Sequence, residues 1–250
     1  MSSVPASNGL PVVGDLVVVV DESSPVLAGG VAYVVAAAAL LSVGDVRAEL
    51  ALLFTSPRKN PFHWSKEGTE TRNRMLDVII STGIVAIAHC KQVGRSGQTP
   101  VRREMLKLTS DWAQTEGASH LIIESGDRVT NSRDQSTLLD HHRDRGGVPF
   151  AYDWRTKQEP LLWVADALAG AVGEWAMASR TSGTSACSKQ ASSRCGSSEP
   201  KNAEVPAPVL DDPEGSSAWR SGTHVYPTEQ YREALSSMGG FGRNVNPHCG

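Results

Sequence analysis

The chain has 250 residues, with 24 Lys and Arg against 27 Asp and Glu and a formal charge of −3. That length holds one sizeable domain plus extra segments, and the near-balanced charge leaves no basic footprint for nucleic acid beyond a local patch. Cys90, Cys187, Cys195 and Cys249 form no CxxC pair, which argues against a zinc-ribbon or disulfide-framed domain and fits reduced thiols.

The first residues show no positive region ahead of an apolar stretch, so no signal peptide is expected. The longest apolar runs, 16–20 and 31–41, fall short of the ~20 residues a membrane helix needs. The expectation is a soluble, cytoplasmic protein with no membrane partner. Residues 1–14 read as a flexible N-terminus.

In chain order, "DLVVVVD" (15–21) predicts a buried strand, β-branched and bounded by turn residues. "VAYVVAAAALL" (31–41) follows a Gly-Gly turn and reads as its hairpin partner, although its alanines favour helix. "ELALLFT" (49–55) reads as a third strand. "TETRNRMLDVIIST" (69–82) has helical spacing with Thr69 as N-cap, and "IVAIAHC" (84–90) is a strand. "PVRREMLKLTSDWAQTEG" (100–117) is a helix that starts on Pro and stops on Gly. "HLIIES" (120–125) is a strand, 132–147 a helix stopped by two glycines, and "VPFAYDW" (148–154) a strand. "EPLLWVADALAGAVGEWAMA" (159–178) closes the domain as a long helix.

An opening antiparallel hairpin feeding βαβ units implies a mixed sheet with helices on its faces, an α/β domain over 15–178. Residues 179–250 read as a low-complexity tail. From Thr181 to Pro208 there is almost nothing to bury, so disorder is expected there, with a short helix at 228–238.

Three acids fall where secondary structure alone would not put them. Asp21 ends the first strand, Glu124 ends "HLIIES", and Asp166 lies inside the apolar closing helix. Carboxyl ends of neighbouring parallel strands open onto one crevice, and a helix across the sheet can reach the same point. Carboxylates gathered there stay ionised together only with a cation between them. All-oxygen ligands suit Mg²⁺ or Mn²⁺, and two such ions can clamp a phosphoryl displacement. The plainer alternatives are turn acids at Asp21, Glu22 and Glu124 and a buried ion pair at Asp166.

Other candidates are weaker. His63 precedes a helix in "NPFHWSKEGTE" with Glu67 and Glu70, where acids also serve the helix dipole. His141 and His142 read as part of a solvated helix face. His89-Cys90 lacks a spaced zinc partner. Arg95, Arg102 and Arg103 could touch phosphates. No P-loop, GxGxxG or GxSxG motif is present.

"VVVVDESS" resembles the strand–DESG opening of the DUF3800 family, and "FAYDWRTKQEPLLWVADALAGAV" resembles its closing Asp and Leu-Gln-x-Ala-Asp-Leu helix. Asp153 and Asp166 match the two closing acids, and Glu124 matches the acid ending the intervening strand. Trp163 stands where the family commonly has Gln, and Ser24 where it has Gly. The resemblance implies a ribonuclease H-like fold. It implies a metal-dependent phosphodiesterase or nuclease acting on nucleic acid, with Asp21, Glu124 and Asp166 as ligands of Mg²⁺ or Mn²⁺. Glu22 and Asp153 would be auxiliary acids, and His63 would orient the substrate or act as a base. The alternative is a non-catalytic interaction module with the same fold, whose tail binds another protein.

Overall fold

The computed structural model of the protein describes residues 15–27, 30–54, 60–94, 97–190 and 222–224. Strand β1 (Val17–Ser23) runs through the middle of a mixed sheet, and Val17 to Val20 are buried. A run of β-branched residues suits a strand covered on both faces. β2 (Val26–Leu27) folds back on β3 (Gly30–Leu40), which pairs antiparallel with β1, Asp21 opposite Ala36. Ala36 to Ala39 extend rather than coil because β1 and β4 (Val85–Val93) hydrogen-bond β3 from both sides. Tertiary pairing overrides the modest helix preference of alanine.

On the other side of β1, β5 (His120–Glu124) pairs parallel with it, and β6 (Ala151–Arg155) pairs parallel with β5. The strand order is β6-β5-β1-β3-β4-β7, where β7 (Gly222–His224) lies antiparallel on β4. β1, β5 and β6 point the same way, so their carboxyl ends share one edge.

Helices cover both faces. The residues of α1 (Val43–Leu53), α2 (Thr69–Ser81) and α5 (Leu162–Gln190) pack with Val17, Val19, Ala36, Ala38 and Ile122. Residues of α3 (Gln98–Thr115) and α4 (Arg128–His142) pack with Val18, Val20, Ala37 and Ile123. Each fully buried Leu or Phe in these layers contributes about 1.5–3 kcal/mol. Among the described residues no helix is long and apolar enough to cross a membrane.

One expected element changes type. Residues 49–55 are not a third strand; 43–53 form α1, and its buried residues are Val46, Leu50 and Leu53. Spacings of four and three are helical, while Leu52, between two of them, is exposed. The closing helix α5 continues through Thr181 to Gln190, and β7 returns a piece of the tail to the sheet. Residues 1–14 and 191–221 and the helix expected at 228–238 lie outside the described residues.

Between α1 and α2, residues 64–66 make one 3-10 turn. Trp64 packs directly on α5 because Gly170 has no side chain: a Cβ there would overlap the indole and lie 2.7 Å from the Trp64 Cβ. In an open helix Gly→Ala gains nearly 1 kcal/mol. Here overpacking against a ring should dominate. We expect Gly170→Ala to lower stability by about 1–3 kcal/mol in urea unfolding; a midpoint at or above wild type would contradict this packing.

Candidate metal centre

β1 and β5 pair in register up to Val20 and Ile123. Val20 faces Ile123, so Asp21 and Glu124 come next to each other one residue further on. Successive strand residues alternate faces. Val17 and Val19 face α5, so Asp21 does too. Ile122 also faces α5, so Glu124 follows. Asp166 comes down from α5 onto the same spot.

The three acids meet at the ammonium of Lys157, in the turn between β6 and α5. Its Nζ lies 2.5 Å from Asp166 Oδ1, 3.2 Å from Asp21 Oδ2 and 3.5 Å from Glu124 Oε1. The Asp21 carboxylate is wholly buried and the Lys157 side chain is 14% exposed. Burial, then the nearby Glu124 carboxyl, push the Asp21 carboxyl well above its usual range, against the pull of Lys157. Burial alone would lower the Lys157 ammonium, but Asp21 and Asp166 outweigh it and hold it above its ordinary value.

Asp166 is fixed on its other side. Trp64 N–H donates to Asp166 Oδ2 at 2.6 Å. Trp64 is itself clamped: its indole N–H donates to Glu174 at 3.0 Å, and Arg72 donates to its carbonyl at 2.8 Å. His63, one residue earlier, places Nδ1 3.5 Å from Asp166 Oδ1. The structure thus brings Asp21, Glu124, Asp166 and His63 together.

It does not bring Glu22 or Asp153 there. Glu22 faces the opposite layer, where it accepts from Arg102 and from the Tyr33 hydroxyl. Arg102 also makes a bidentate pair with buried Asp134, at 2.8–3.2 Å. Asp153 lies on the α5 face of β6, opposite Ile122, but Arg155 Nε takes its carboxylate at 2.6 Å. Of the candidate arginines, Arg102 is this internal anchor, Arg103 is exposed, and Arg95 lies outside the described residues. Glu70 is exposed in the first turn of α2, and Glu67 closes the 3-10 turn through its backbone N–H.

The histidine pair on α4 is not a solvated face. His142 is buried with Nε2 2.5 Å from Ser110 Oγ, and His141 meets Asp111 at 2.8 Å. One ligand atom from each of Asp111, His141 and His142 lies within 4.8 Å of the others. Arg145 also holds Asp111, at 2.6 Å. His141 and Arg145 lower the Asp111 carboxyl against the opposing effect of its burial. These contacts tie α3 to α4 on the side of the sheet away from Lys157.

Lys157 is the residue the sequence reading missed. The available signal was a lysine just past the end of β6, at the edge where acids were expected to gather. The cluster suits a divalent cation on two grounds. Three carboxyl groups face a single ammonium, and Asp21 Oδ2 is buried with that ammonium, at 3.2 Å, in place of a geometric hydrogen bond. The oxygens ring the ammonium at 2.5–3.5 Å, wider than the ~2.0–2.1 Å that Mg²⁺ requires, so they would have to draw inward around an ion.

No family model matches the chain, and no curated protein matches it. Among solved structures, the chain is similar to one in the PCNA:RNase HII complex from Archaeoglobus fulgidus. The identity is 14% over 91% of this chain and 90% of that one, with a TM-score of 0.43. A superposition of that quality says nothing of chemistry.

His89, expected at a strand end, lies buried in the middle of β4, and neither ring nitrogen has a hydrogen-bond partner among the described residues. Burial pulls it down to about 4 from the usual 6.5. The unfolded chain therefore takes up a proton between those values while the folded chain does not. Stability should be flat above pH ~6.5 and fall by about 3 kcal/mol on the way down to pH ~4. Urea unfolding at pH 7 and pH 5 should show part of this loss in wild type and less of it in His89→Leu. Equal losses in both would assign the acid sensitivity elsewhere.

Proposed function

We propose that the protein is a divalent-metal-dependent phosphodiesterase of ribonuclease H-like type, a nuclease related to the DUF3800 family. One observation carries the reading: acids from two neighbouring strand ends and a crossing helix converge on a single cation position, now held by the Lys157 ammonium, which is the partner of the buried Asp21 oxygen. The antiparallel opening strands followed by parallel β5 and β6 are the arrangement that the family resemblance implies.

Asp21, Glu124 and Asp166 would hold Mg²⁺ or Mn²⁺. When bound, such an ion polarises a phosphoryl oxygen and lowers the pKa of a water it carries. The chain's own groups supply the geometry. The Trp64 N–H occupies Asp166 Oδ2, which leaves Oδ1 aimed at the cation position. His63 stands at the rim, able to contact a phosphate or accept a proton. Glu22 and Arg102 brace the tip of β1 from behind. The substrate class that fits is nucleic acid, whose phosphates would be drawn by the ion rather than by the protein's nearly neutral surface.

The second reading is a non-catalytic module, and it rests on the same contacts. Lys157 already touches all three acids, as a structural ion cluster would.

The two readings differ in how Asp166→Asn behaves. For the enzyme, the variant in chelator should melt close to wild type, because Lys157 keeps Asp21 and Glu124 as partners. Mn²⁺ at a hundredfold above its dissociation constant should stabilise wild type by about 2.7 kcal/mol, read as about 5–10 °C in Tm, and the variant by much less. Disturbing even an outer-shell partner costs metal enzymes about 10–100-fold. Cleavage of single-stranded and duplex DNA and RNA should therefore fall at least that far in Asp21→Asn and Asp166→Asn. A flat Mn²⁺ response in wild type, with a large metal-independent loss in Asp166→Asn, would leave the module reading standing.

A further inference from the structure

We infer that Lys157 is the gate of this site: its ammonium is a resident cation that a divalent ion must displace before it can bind. The inference rests on the metal-site reading above and adds how that site is regulated. Two cations cannot share the position. The ammonium is within 3.5 Å of all three carboxylates, so an ion at the same centre would meet a like charge at contact distance.

The chain around Lys157 is held, so the exchange falls to its side chain. The Trp163 indole N–H donates to the Lys157 carbonyl at 2.7 Å. The Glu159 N–H donates to the Thr156 carbonyl at 2.9 Å, and Arg47 grips the Glu159 carboxylate at 3.0 Å. Trp163 is wedged edge-on against Phe54 and beside Phe62. A pinned backbone with a four-carbon flexible stem is suited to swinging an ammonium between two places. The second place is water: the side chain is already 14% exposed, so rotation of the stem returns the charge to solvent without moving the loop.

The gate has a direction. With the ammonium in, three carboxyl groups share one positive charge, and the acids stand wider apart than a divalent ion needs. With a divalent ion in, the charge is met more fully and the ammonium regains hydration. Lys157 thus keeps β1, β5 and α5 together when no metal is present, and it weakens metal binding while doing so. Trp163 is one of the residues that pin the loop carrying the gate.

The test uses the full chain. Wild type is treated with acetic anhydride in chelator and in saturating Mn²⁺, and acetylation of each lysine is read by mass spectrometry. Lys157 should be protected in chelator and about tenfold more reactive in Mn²⁺, while exposed Lys107 stays constant as the internal reference. In parallel, Mn²⁺ titration calorimetry should give a dissociation constant about tenfold tighter for Lys157→Gln. Lys157→Arg keeps the charge and should bind no tighter than wild type. If Lys157→Gln does not fold, the wild-type acetylation and the arginine variant still decide the matter. Binding of Mn²⁺ with Lys157 still protected, or equal affinity for wild type and the glutamine variant, overturns the gate and leaves the metal site standing. Absence of Mn²⁺ heat in wild type and both variants overturns the metal site and the gate together.

Discussion

Like charges at Asp21, Glu124 and Asp166 would repel one another, and at the carboxyl edge of the sheet the Lys157 ammonium stands between them. Removing one partner of a buried ion pair typically costs 3–5 kcal/mol, since the remaining charge has nowhere to go. Here three elements would feel that loss at once: the tip of β1, the end of β5 and the first turns of α5. The ammonium therefore links β1, β5 and α5 at this edge. Through Asp166 it also sets where the 3-10 turn carrying Trp64 and His63 docks.

A second ion system lies on the other side of β1 and works differently. Glu22, Asp134 and Tyr33 surround Arg102. Despite the opposing effect of burial, Asp134 and Glu22 hold that guanidinium above its ordinary value. Burial, then the Glu22 charge, raise the Tyr33 hydroxyl. Two acids share one arginine with bidentate geometry, which satisfies donors and acceptors together. That face is braced by paired charges. On the Lys157 face three carboxyl groups share one ammonium, which meets the buried Asp21 oxygen at 3.2 Å. Adjacent residues on one strand, Asp21 and Glu22, thus belong to sites of opposite character, because a strand sends neighbours to opposite faces.

The helix α5 joins packing to chemistry. Its small residues let it lie close, with Gly170 under the Trp64 ring and Ala165, Ala167 and Ala169 buried. Close approach places the Trp64 backbone within reach of Asp166. A bulkier helix would hold the 3-10 turn away and leave Asp166 Oδ2 without its donor.

Local pattern was enough for much of this. The valine run of β1, the helical spacings of α2 and α3 and the apolar closing helix announce themselves through periodicity, which is a property of the chain alone. So do the three acids, because a carboxylate at the end of a buried strand or inside an apolar helix demands a partner wherever the chain goes. Residues 49–55 misled because a short apolar run fits strand and helix alike until its neighbours choose, and α1 packs there with Val46, Leu50 and Leu53 inward. The partner of the acids was not legible either. Lys157 is separated by 136 positions from Asp21 and by 33 from Glu124 in the numbering, and only the parallel pairing of β1, β5 and β6 carries the turn after β6 to that edge. The division of Asp21 from Glu22, and of Asp153 from the cluster, was likewise decided by strand register. Charge at the strand ends follows from the residues alone; which cation meets it follows from the fold, because that choice depends on distances between segments far apart in the chain.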